Sequence, residues 1–83
     1  MKRTILVRAW WDEEARVWVA ESADVQGLVT EADTLEQLRD KVLVMIPELL
    51  ALNAQDELDA TLPEIPVHIM AEHCAWIANP RFS

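Results

Sequence analysis

The chain has 83 residues, enough for a single domain, and carries seven Lys/Arg against fifteen Asp/Glu for a net charge of −8. That balance excludes the basic stripe needed to neutralise phosphates, so direct nucleic-acid binding is not expected. With 52% apolar residues and one glycine, the composition excludes a disordered segment, while a chain this size buries only about 63% of its unfolded surface, a marginal amount often completed by an oligomer interface.

Lys2 to Trp11 reads as a strand, with Ile5, Val7, Ala9 and Trp11 on one face and Leu6, Arg8 and Trp10 on the other. Asp12 to Ala15 is a polar turn. Arg16 to Ser22 is a second strand. Ala23 to Gly27 holds the only glycine and predicts another reversal. Leu28 to Ala32 is a third strand. Thr34 opens a helix, since Thr34-Leu35-Glu36-Gln37 fits a capping box and Asp33 is a further capping candidate. Leu35, Leu38, Val42, Met45 and Leu49 form its apolar stripe. Pro47 lacks an N–H and predicts a kink or break at Ile46 with a further turn from Pro47 to Leu52, and Asn53 is placed to end the helix in a left-handed conformation. Ala54 to Pro63 is an acidic loop. Ile65, Val67, Ile69 and Ala71 alternate as a fourth strand with Pro66 near its start, as an edge position allows. Cys74 to Ser83 is a short tail with Trp76, Ile77 and Phe82.

The order predicts an α+β fold, β-β-β-α-β. A four-stranded, mostly antiparallel sheet would carry one main helix on one face, with residues 1–73 as the domain and 74–83 as a C-terminal tail. A turn over Asp12 to Ala15 sets Trp11 opposite Arg16 and Ala9 opposite Trp18. The helix-side face is then Ile5, Val7, Ala9, Trp11, Trp18 and Ala20. The other face carries Leu6, Arg8, Trp10, Val17, Val19, Val29, His68 and Met70. A single helix cannot cover both faces, so this second face is expected to be a contact surface, with Trp76 and Phe82 of the tail as further interface candidates. The competing arrangement folds the tail back over it.

Little in the chain suggests catalysis. One cysteine, Cys74, permits no internal disulfide and reads as a free buried thiol. The apolar run Ile5-Leu6-Val7 stops at Arg8, too soon for a signal peptide, and no stretch approaches the ~20 residues of a membrane span. A cytoplasmic location is expected. Asp12, Asp24 and Asp33 each end a strand, as a metal-dependent nuclease would need, yet Asp24 and Asp33 have structural uses in a turn and a cap. His68 and His73 are five residues apart and point to opposite faces of a strand, so they do not share a metal. No metal, cofactor or catalytic residue is expected.

The run from Val17 to Leu38 resembles the HicB-like antitoxin superfamily, whose mark is a Pro-Asp-Leu-Pro-Gly type turn after the second strand and a Gly-Asp-Thr-Leu-Glu opening of the helix. Asp24, Gly27, Asp33, Thr34, Leu35 and Glu36 match that pattern, while Ala23, Gln26 and Ala32 depart from it. Pro47-Glu48-Leu49-Leu50 and Asn53 resemble a branch of short HicB-related proteins that lack the DNA-binding segment. The resemblance implies a degenerate ribonuclease-H-like fold without catalysis. It implies binding to a small basic toxin that cleaves mRNA. On that reading Glu13, Glu14, Asp56, Glu57 and Asp59 meet the basic partner, and Trp10, Val17, Val19 and Met70 are apolar anchors. A homodimer or higher oligomer is expected as well.

Overall fold

A computed structural model of the chain describes residues 3–53, 58–59 and 61–82. Its elements are β1 (Ile5–Asp12), β2 (Val17–Glu21), β3 (Val29–Ala32), α1 (Leu35–Leu52) and β4 (Val67–Glu72). They form one four-stranded sheet in the order β3-β2-β1-β4. β1–β2 and β2–β3 are antiparallel, and β4 lies parallel to β1. This is the α+β arrangement expected from the sequence, with β1 central and β3 and β4 at the edges.

α1 lies over β2 and β3 on one face. Beneath it the sheet offers Val7, Ala9, Ala20 and Ala32, and three of these four are alanines, so the helix can approach closely. Leu38, Val42 and Ile46 face them and are buried, together with Ile5, Val25 and Leu28. Met45 and Leu49 are half-buried beside this cluster. Leu35, expected in the stripe, is exposed, and Ile46 takes a core place that the stripe did not include.

The first hairpin differs from the expected register. Trp11 pairs with Trp18, Ala9 with Ala20 and Asp12 with Val17. The loop still has four residues, but it spans Glu13 to Arg16. The cause is local. Asp12 continues the strand while its Oδ1 accepts from the N–H groups of Glu14 (3.1 Å) and Ala15 (3.2 Å). Arg16 closes the turn at φ +57°, donating its N–H to the Asp12 carbonyl at 2.7 Å. The shift is by an even number of residues, so the two faces are those expected.

Thr34 is the N-cap, and its hydroxyl accepts from the Gln37 N–H at 3.1 Å. Of the kink or break expected at Ile46, the break does not occur; α1 is one helix through Pro47 to Leu52, where the further turn was expected to end. Pro47 removes one helical hydrogen bond at a cost of roughly 3 kcal/mol. Ile46 on one side and Leu49 and Leu50 on the other pack against the core and hold the last turns in place. Asn53 ends the helix at φ −108°, not in a left-handed conformation. It donates its N–H to the Leu49 carbonyl at 2.9 Å. Its side-chain Nδ2 reaches the Gln26 carbonyl at 3.1 Å, so the helix end is tied to the β2–β3 turn.

Two stability outcomes follow from this core. Leu38→Ala removes a fully buried side chain and should cost about 2–5 kcal/mol in urea unfolding. Pro47→Ala should instead stabilise by about 1–3 kcal/mol, because Pro47 is exposed and the change restores a helical N–H.

Candidate functional site: the open sheet face and the C-terminal arm

The face opposite α1 carries Leu6, Arg8 and Trp10 from β1, Val17, Val19 and Glu21 from β2, Val29 and Glu31 from β3, and His68, Met70 and Glu72 from β4. Among the described residues no element covers it. Leu6 is 45%, Met70 53% and Val29 64% exposed. Trp10, Val17 and Val19 are half-buried at its centre. The Arg8 guanidinium lies 5.6 Å from the centre of the Trp10 ring and also pairs with Glu21 at 3.7 Å.

Residues Ser22 and Asp24 anchor the N-terminal end of this face. The β1–β2 ladder ends at Arg8↔Glu21. Beyond it, the Leu6 N–H donates to Asp24 Oδ2 at 2.8 Å and the Ser22 hydroxyl donates to the Leu6 carbonyl at 2.6 Å. The Asp24 N–H in turn donates to Ser22 Oγ at 3.1 Å. Two side chains therefore extend the ladder by one residue. The following turn buries Val25 and Leu28. Gly27 sits there at φ +86°, a conformation that side chains disfavour.

At the far end of the sheet, on the helix-side face, Trp11, Trp18 and His73 form an aromatic cluster. Their ring centres are 5.8–5.9 Å apart in pairs. Trp11 Nε1 donates to Glu13 Oε2 at 2.6 Å. A hollow of about 530 Å³ opens beside them, bordered by Trp11, Glu13, His73 and the start of the tail. This cluster was not foreseen, because the expected register put Trp11 opposite Arg16.

The tail does not fold back over the open face. After His73 it projects from the body as an arm, with Trp76 91%, Ile77 88% and Phe82 86% exposed. Among the described residues its hydrogen bonds are those of a local turn, with the Phe82 N–H on the Asn79 carbonyl and the Arg81 N–H on Asn79 Oδ1. Cys74, expected to be buried, is exposed because it lies at the root of this arm.

The three strand-end aspartates are not brought together. Asp12 Oδ1 serves the hairpin, Asp24 lies at the opposite end of β1, and Asp33 is exposed beside the helix cap. His68 is on the open face and His73 is in the aromatic cluster. No group of three or more His, Cys, Asp or Glu side chains among the described residues is placed to hold a metal ion. Of the acidic contact candidates, Glu13 is engaged by Trp11 and, at 3.8 Å, by Arg16. Asp59 is held by the Thr61 hydroxyl at 2.6 Å and the Thr61 N–H at 3.0 Å, with Arg3 at 3.6 Å. Those Thr61 bonds keep the Asp59 carboxyl below the ordinary carboxylate range, so it stays charged as pH falls further. Glu14 is exposed. Asp56 and Glu57 lie outside the described residues. No described helix is long and apolar enough to cross a membrane.

Asp24→Ala should lower unfolding free energy by about 1.5–3 kcal/mol, because the Leu6 N–H loses a charged acceptor. Asp33→Ala should stay within about 0.5 kcal/mol, since its side chain is exposed. Urea titrations of the two variants separate these cases.

Residues 4–79 match a family described as a domain of unknown function, DUF1902. No curated protein matches the chain. A solved structure is similar over 93% of this chain and 100% of its own, with 47% identity and a TM-score of 0.62. It is the crystal structure of the hypothetical protein TTHA1013 from the extremely thermophilic bacterium Thermus thermophilus. With the match running over nearly its whole length, the chain belongs to the DUF1902 family.

Proposed function

We propose that the protein is a non-enzymatic, cytoplasmic interaction domain of the HicB-like antitoxin kind, acting by contact with a small basic toxin that cleaves mRNA. The observation that carries this reading is where the charges go. Arg3, Arg8, Arg16 and Arg39 are each paired with a carboxylate of the same chain, and Lys41 donates to the Glu31 carbonyl at 2.7 Å. The acidic excess is left on the outside, where Glu14, Glu31, Glu36, Glu48, Glu64 and Glu72 are all exposed. A surface of that kind attracts a basic protein, speeds its encounter and repels acidic competitors. The matching motif residues add support, since Asp24, Gly27 and Thr34 have structural work at the turn and cap where the HicB-like pattern places them.

A second reading is a stand-alone homo-oligomeric domain without a toxin. The exposed arm favours it, because three large apolar side chains in solvent call for a partner of some kind.

Native mass spectrometry of the untagged protein from its own cells separates the two. The first reading predicts a complex with a second small basic chain that dissociates as salt is raised. Homo-oligomer mass alone contradicts it. In the same complex, charge reversal at Glu14, Glu36 and Glu48 should weaken binding at least tenfold.

A further inference from the structure

We infer that two copies of this chain exchange their C-terminal arms, each laying Trp76, Ile77 and Phe82 on the open sheet face of the other. The inference deepens the contact-domain reading. It rests on that reading only for the open face being an interface, not for the basic partner.

The arm is built to reach outward. The Cα radius of gyration is 16.1 Å and the chain extends over 59 × 23 × 18 Å. A compact chain of this length has a radius near ~12 Å. The excess lies along one axis, and the arm's three large apolar side chains are each more than 85% exposed. The fold therefore leaves two unsatisfied surfaces on one molecule. Among the described residues, one is an apolar arm with nothing beneath it, and the other is an apolar face with nothing above it. A foreign partner would cover one of them, whereas a second copy covers both, and a two-fold axis makes the exchange reciprocal and closed.

Charge favours the same occupant. Arg81 is at the arm's end and makes no ion pair among the described residues, while the open face carries Glu31 and Glu72 beside the Arg8–Glu21 pair. The area is also sufficient. Aromatic side chains bury about 150–250 Å² each, so Trp76 and Phe82, with the smaller Ile77 beside them, remove about 500 Å² from water per arm. Two arms and the faces beneath them bring the total to about 2,000 Å², within the range of stable interfaces. A single arm without its reciprocal would give about half of that, at the lower limit.

Sedimentation equilibrium of the full chain tests this directly. The expected species has twice the chain mass of 9.5 kDa. The arm variant W76S/I77S/F82S should be a monomer with an unchanged far-UV spectrum, because these side chains do not belong to the core. The face variant V29E/M70E should also be a folded monomer, since both positions are more than half exposed. Mixing the two monomers should restore a dimer, weaker than the parent by at least tenfold, because one intact arm meets one intact face. A monomeric parent chain overturns the inference. So does an arm variant that remains dimeric, or a mixture that stays monomeric. Each of these outcomes leaves the basic-partner reading to its own experiment.

Discussion

A helix about ten ångströms wide can shield one face of a four-stranded sheet and no more. In this chain that limit shapes everything else. α1 covers β2 and β3, where Ala9, Ala20 and Ala32 let it come close, and it buries Leu38, Val42 and Ile46 against them. The opposite face still carries Leu6, Trp10, Val19, Val29 and Met70. Among the described residues no second helix covers them. The same shortage makes the fold marginal in buried area, so covering the open face by association would add stability to the body.

The local devices serve that sheet. Asp24 and Ser22 hold Leu6 where the ladder has run out, and this keeps the N-terminal end of β1 flat against its neighbour. Gly27 turns the chain, and Asn53 ties the end of α1 to the same turn through the Gln26 carbonyl. The helix tolerates Pro47 because its flanking apolar residues are already seated on the core. The charged groups are arranged differently. Arg3, Arg8, Arg16 and Arg39 are paired with carboxylates of the same chain, and six further glutamates face outward. The body is thus apolar on one side and acidic around its periphery.

Much of this was legible in the amino-acid sequence, for physical reasons. Period-two alternation in Ile5 to Trp11 identified both faces of the central strand. Parity protected that reading even though the hairpin register was off by two residues. Thr34 announced the helix start through its capping chemistry. What sequence reasoning missed depended on tertiary context. Asp12 caps the hairpin from inside the strand, and no pattern of apolar residues reports that. Pro47 looked like a break because its intrinsic cost is large, and only the packing of Ile46, Leu49 and Leu50 offsets it. Cys74 read as buried from its residue type, yet it sits at the root of an arm that leaves the body. Trp76 and Phe82 were interface candidates in the sequence, with two possible destinations, the chain's own sheet or another molecule. In the structure they do not reach their own sheet.

If the arms are exchanged as proposed, the open face and the arm are both covered in the native protein. Hydroxyl-radical footprinting of the native protein reads this at single residues, because Met70 on the face and Trp76 on the arm are both readily oxidised. Both should be protected at high protein concentration and become reactive together on dilution. Oxidation of Met70 and Trp76 at the rate of the unfolded chain at every concentration would contradict the exchange.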